Sequence, residues 1–222
     1  MTTPARAMVM LALAAGLFLP ACALTSKSTP IVVRYFTPGH ASPHRAGPAF
    51  AGPASSAASA PPELRLGRVS AASYLNEKIA FRDSDHEVGY YATLRWTERP
   101  EDYLRRALAR ALFQEHELRE LVSGAGPALE LELSAFEEVK TPTHIARVEV
   151  TWKVRDGRTV VAQRTLTIER AIAGAGPAGH AVAAAMGEAL DRAVDAVVTA
   201  VVSELSLGGG SPDMAVGAAS TR

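Results

Sequence analysis

The sequence is poor in cysteine: 222 residues hold one, Cys22. No intramolecular disulfide is available, which excludes a small stapled scaffold. Charge of one sign is also missing, since 23 basic residues balance 23 acidic ones. A nucleic-acid footprint needs a basic face, and this balance gives no sign of one. Past Cys22 no apolar run approaches the ~20 residues that cross a bilayer as a helix. No serine, histidine and acid fall into a set that spacing alone singles out as nucleophile, base and orienter.

What the sequence does have begins at its N-terminal end. Arg6 is followed by residues 7–19, all apolar or small and without charge. That run is too short for a membrane span but has the proportions of a signal peptide's hydrophobic region. It ends in Leu19-Pro20-Ala21-Cys22. A lone thiol at this place looks like a bacterial lipobox. Cleavage would then fall between Ala21 and Cys22, leaving Cys22 as a lipidated first residue. The alternative is ordinary cleavage after Ala23, because Ala21-Cys22-Ala23 is also a small-x-small site. The two outcomes differ physically, because one acyl chain holds a protein marginally, whereas two or more anchor it stably at ~0.8 kcal/mol per buried methylene.

Residues 31–36 (IVVRYF) predict a short strand rich in β-branched and aromatic side chains. Residues 38–62 are Ala, Gly, Pro and Ser with little else. Such a stretch buries too little apolar area to offset its ordering entropy, so it reads as a flexible linker. A strand over residues 63–70 opens the folded body. Ile79 and Phe81 mark a second strand, and Val88, Tyr90, Ala92 and Leu94 alternate through a third. The period then changes: Leu104, Ala107, Leu108, Ala111 and Leu112 recur at helical spacing, with Pro100 placed for the first turn.

Three further strands follow. Leu129, Leu131 and Leu133 alternate with Glu130, Glu132 and Ser134. Ala146, Val148, Val150, Trp152 and Val154 alternate with Arg147, Glu149, Thr151 and Lys153. One apolar and one charged face suit an antiparallel sheet with a wet side. Asp156-Gly157 is a hairpin turn leading to a return strand over residues 159–169. The last helix carries Val182, Met186, Leu190, Val194, Val197, Val198, Val201 and Leu205 on one stripe. The expected order is β-β-β-α-β-β-β-α. The expected fold is α+β, a two-layer sandwich of a mainly antiparallel sheet with both amphipathic helices on one face.

Several of these segments together resemble a known family. The pieces are Leu66-Gly67-Arg68-Val69, Tyr74-Leu75, Ile79-Ala80-Phe81-Arg82, Arg95-Trp96-Thr97-Glu98-Arg99-Pro100 and Leu131-Glu132-Leu133-Ser134-Ala135-Phe136. In this order they resemble the ABC-type transport auxiliary lipoprotein family. Residues 31–36 resemble the short tyrosine-containing strand that such lipoproteins carry soon after the lipidated cysteine. The resemblance implies a non-catalytic component of an envelope lipid transport system. Its partners would be an ABC ATPase, a permease and an MCE-type substrate-binding protein, and a homo-oligomer is left open. Neither a cofactor nor a metal is implied. Ala23 replaces the aspartate that retains many such proteins at the inner membrane, which favours the outer membrane.

The resulting expectation is a tethered adaptor. Residues 1–21 are the leader; 22–62 are the lipidated end, short strand and linker; 63–206 are the folded domain; 207–222 are a disordered tail. The linker would let the domain reach tens of ångströms, by the ~5–6 Å × √n scaling of flexible chains. The rival expectation is a periplasmic carrier that holds lipid in a pocket between helices and sheet.

Other candidate residues read as structural. Gly174-Ala175-Gly176-Pro177-Ala178-Gly179 spells GxGxxG, but no parallel strand follows to complete a dinucleotide-binding unit. Asp83, Asp85, His86 and Glu87 lack the spacing of a calcium loop and read as a solvated turn. His40 and His44 fall in the linker, and Trp96 is expected in the core.

Overall fold

The computed structural model describes residues 30–39, 61–116, 118–173 and 178–208. Cys22, His40, His44 and the glycine run at 174–177 lie outside them. The strands are β1 (Arg34–Phe36), β2 (Glu63–Ala71), β3 (Lys78–Ser84), β4 (Glu87–Trp96), β5 (Arg119–Glu120), β6 (Pro127–Val139), β7 (Ile145–Asp156) and β8 (Thr159–Ala171). Helix α1 (Pro100–Arg110) follows β4 and continues into a π-helical turn (Ala111–Glu115); helix α2 (Ala178–Gly208) follows β8. Within the described residues the expected order holds, with two-residue β5 added.

The sheet is mixed: its long ladders are antiparallel, as expected, and its short ones are parallel, which the alternation pattern did not show. β3 and β4, β6 and β7, and β7 and β8 pair antiparallel. β1 runs parallel to β4, and β2 runs parallel to both β5 and β6. β3 also runs parallel to β6. Alternation with period two reports which face of a strand is buried, but not the direction of its neighbour. Here β3 and its parallel neighbour β6 are joined through β4 and α1, a connection long enough to set two strands side by side in the same direction.

β6 is the hub. β7 lines one of its edges from end to end. The other edge is shared: β2 covers residues 128–133 and β3 covers residues 137–139. Between them the chain leaves the sheet over residues 72–77. Opposite this gap β6 is itself irregular. Leu133 faces Val150 and Ala135 faces Glu149, so Ser134 is an extra residue in the ladder. A bulge of this kind moves the buried phase by one position. Leu129, Leu131 and Leu133 point to the core before it, and Phe136 does so after it.

The core lies against α1 and α2. α2 packs on β7 and β8, α1 on β2 and β6, and the helices touch each other. Val148, Val150, Trp152 and Val154 of β7 are essentially inaccessible, as are Met186, Ala189, Ala193, Val197 and Val201 of α2. Each such valine or methionine side chain stabilises the fold by about 1.5–3 kcal/mol, and each alanine by less. Trp96 is 1% exposed and packs edge-on against Tyr103 and Phe136, as expected for a core residue. Pro100 sits in the first turn of α1, with Glu101 and Asp102 beside it, where acidic side chains suit the positive end of the helix dipole.

β1 is clipped to the body. Its residues pair with residues 94–96 of β4, and Phe36 is 7% exposed. The Phe36 ring stands edge-on to His180 of α2 at 5.3 Å. Two α2 glycines make room: a Cβ at Gly179 would meet the Phe36 ring at 2.4 Å, and one at Gly187 would meet the Gly39 carbonyl oxygen at 1.9 Å. Residues 38–62 therefore join two strands that are both fixed to the same body. They do not set the reach of that body from an anchor at Cys22, and that expectation is corrected.

Candidate functional site

The bulge at Ser134 and the gap between β2 and β3 together form a polar notch of about 250 Å³. It lies on the face of β6 turned away from the leucine row. Tyr74, from the gap, donates from its hydroxyl to the Ser134 carbonyl at 2.9 Å and to Glu137 Oε2 at 3.2 Å. Arg82 of β3 donates to the same carboxylate through Nε at 2.8 Å and Nη2 at 3.2 Å. Glu137 is 1% exposed, so its charge is held almost wholly by these three donated hydrogen bonds. Ser134 donates to Glu149 Oε1 at 2.7 Å, and Thr167 donates to Oε2 at 3.1 Å.

The electrostatics follow from this packing. Burial, and then the neighbouring Glu137 carboxylate, push the Tyr74 phenol up to about 12. The hydrogen bond to Glu137 raises the Arg82 guanidinium above its already high value. Neither group changes charge near neutral pH, so the notch presents a fixed pattern of charges and donors.

Next to Glu137, Glu138 points the other way, to the core side with Phe136. It is 3% exposed. Tyr91 donates to its Oε2 at 2.6 Å, and His144 Nε2 lies 2.6 Å from Oε1. Burial, then the bond to Glu138, raise the Tyr91 phenol well above its usual range. Lys140 caps the cluster, its Nζ 3.3 Å from the centre of the Phe81 ring and 3.6 Å from Asp83 Oδ1.

A second, wider depression of about 460 Å³ continues along the same open face, lined by Arg68, Ser70, Glu130, Glu132, Thr151 and Lys153 among others. Lys153 Nζ pairs with Glu130 at 3.0 Å. Both depressions are polar and open. They suit recognition of a polar partner surface rather than enclosure of an acyl chain.

The acidic cluster at 83–87 forms the exposed turn between β3 and β4. Among the described residues no group of three or more His, Cys, Asp or Glu side chains is placed to hold a metal. Of the GxGxxG segment, Ala178 and Gly179 fall within α2, and Gly179 packs against Phe36. Sequence reasoning missed Glu137 and Glu138 as buried acids. A signal was present: two adjacent acids continue a strand where one should have been apolar.

These elements carry motif pieces read from the sequence: Tyr74, Arg82 of β3, and Ser134 and Ala135 of β6 meet around one notch. A family model described as ABC-type transport auxiliary lipoprotein component matches residues 48–198. The chain belongs to that family. The match takes in the body from β2 through most of α2, and so includes the notch.

Solved structures share this family fold. A crystal structure of a protein from Xanthomonas campestris is 22% identical, covering 68% of this chain and 89% of its own, with a TM-score of 0.62. A second crystal structure, of an uncharacterized protein, is 12% identical over 63% of this chain and 92% of its own, with a TM-score of 0.54. Identities this low bear on fold alone. No curated protein sequence matches the chain. Among the described residues no helix is long and apolar enough to cross a membrane.

Proposed function

We propose that the protein is a non-catalytic, membrane-anchored component of an ABC/MCE-type envelope lipid transport system, acting as a tethered adaptor. The observation that carries this reading is the family match over residues 48–198. Residues 1–21 are the leader, Cys22 the acylated first residue, 63–206 the adaptor domain, and 207–222 a tail. The anchor sits in the outer membrane, with the domain facing the periplasm. Its partners are the system's MCE-type protein, permease and ATPase.

The packing supports an adaptor over a carrier. The space between α2 and β7 is occupied by Val148, Val150, Trp152, Met186 and Val197, all 1% exposed or less. A lipid chain there would have to displace close-packed side chains. The two-layer reading, with both helices against one face, is supported by the contact between the helices and by the buried leucine row of β6.

The test is the mass of the mature N-terminal peptide from the membrane fraction, beside a Cys22→Ser control, followed by crosslinking in cells. The expected result is a diacylglyceryl-modified Cys22, lost in the control, and capture of the MCE-type protein or permease. An unmodified peptide starting at Leu24 would end the tethered reading. Capture of no envelope partner would end the adaptor reading.

A further inference from the structure

We propose that the outer side of β1 is a membrane-contact surface, resting on the phospholipid bilayer that holds the anchor. The proposal rests on the acylation of Cys22 proposed above.

The first argument is length. Arg34 stands twelve residues beyond Cys22. At ~3.3–3.6 Å per residue, even a fully extended chain spans only about 40 Å. Without the clip, the chain would run from Cys22 to Glu63 before meeting the body, an extended reach of roughly 140 Å. The clip therefore holds one particular edge of the domain close to the anchored end.

The second argument is what that edge displays. Side chains of a strand alternate in direction. Arg34 and Phe36 turn toward α2, with Arg34 Nη2 3.2 Å from His180 Nε2 and the Phe36 ring against the same histidine. Val33 and Tyr35 turn the opposite way and are 40% and 66% exposed. β1 pairs with β4 alone and is the end strand of the sheet, so among the described residues its outer edge is also without a neighbouring strand. A tyrosine, with an apolar ring and a polar tip, is the side chain that settles at the level of lipid headgroups. The sequence leading back toward Cys22 from Val33 is also apolar, reading Ile31-Val32.

The experiment uses the acylated full chain, in which Cys22 is blocked by its lipid, so an introduced cysteine is the single free thiol. Tyr35→Cys, Val33→Cys and Val161→Cys variants are labelled with an environment-sensitive fluorophore. Each is reconstituted into vesicles of phosphatidylethanolamine and phosphatidylglycerol that carry a doxyl-labelled lipid. Val161 lies on β8, five strand spacings or about 24 Å across the sheet from β1, and serves as the reference. The expected result is a blue-shifted emission and at least about twofold more quenching at positions 33 and 35 than at 161. Equal quenching at all three positions, or none at 33 and 35 with Cys22 shown acylated by mass, overturns the proposal and leaves the anchor standing. Disulfide-linked dimers formed by the unlabelled Tyr35→Cys variant on the vesicles, when its free thiols are oxidised with copper phenanthroline, also overturn it, naming a second copy as the occupant. An unacylated Cys22 overturns the anchor reading, and the proposal with it.

Discussion

Arg82 clasps Glu137 with two nitrogens, Nε at 2.8 Å from one carboxylate oxygen and Nη2 at 3.2 Å from the other. The acid is 1% exposed and the arginine side chain 20%. Removing one partner strands a buried charge. Arg82→Ala is expected to lower stability by about 3–5 kcal/mol, whereas the double replacement Arg82→Met with Glu137→Leu restores most of it. Urea unfolding of the two variants beside the natural chain checks this. A single-variant loss below ~1 kcal/mol would show that water replaces the guanidinium freely.

Tyr74 gives a pH dependence of known sign. Its folded pKa is raised from 10.0 to about 12, so the folded state holds the phenolic proton more tightly than the unfolded chain does. The associated stability is complete below pH 10 and is lost as pH rises toward 12. Tyr91 is shifted in the same direction by burial and Glu138. Unfolding free energy is expected to fall across that alkaline window in the natural chain and less steeply in Tyr74→Phe. Identical slopes would mean that the notch opens before the phenol titrates.

The Glu138 cluster predicts coupling. Tyr91 and His144 each approach a different oxygen of this acid at 2.6 Å. Tyr91→Phe is expected to cost about 1–3 kcal/mol, and His144→Ala a similar amount. The double variant should deviate from additivity by at least about 0.5 kcal/mol, because both residues act on one carboxylate. Strict additivity in a double-mutant cycle would refute a shared network.

Gly187 predicts how the clip is released. An added Cβ would come 1.9 Å from the backbone carbonyl oxygen of Gly39, and a backbone atom has no rotamer by which to move aside. Gly187→Ala is expected to destabilise by about 1–3 kcal/mol and to displace the segment that follows β1. Hydrogen exchange at residues 34–36 should rise while that of β7 stays unchanged. Unaltered protection of residues 34–36 would show that α2 yields instead.

The hairpin from β7 to β8 and the stripe of α2 were legible because each signal is local: alternation, an Asp-Gly turn, and a helical repeat ending in glycines. The branching of the sheet was not. Alternation places Leu129 and Val148 on buried faces without saying that β2 and β3 divide one edge of β6 between them. The notch was hidden for a related reason. Glu137 receives its hydrogen bonds from residues 55 and 63 positions away, so along the sequence it looks like any solvated acid. The bulge left a trace, since Leu133-Ser134-Ala135-Phe136 breaks the alternation by one residue. For β1 the strand itself was legible, but the glycines that receive it lie more than 140 positions downstream.

Because β1 and β2 are each secured to the same body, the passage between them is closed at both ends, and a pull applied from the N-terminal side is borne by β1 ahead of it. Closure cost grows slowly with chain length, by about 0.6 kcal/mol per doubling, so a passage between two fixed strands tolerates insertion. That makes residues 40–60 the natural insertion point for an epitope or a fluorescent reporter, one that would follow the protein in living cells without altering the path from its N-terminal end to β1.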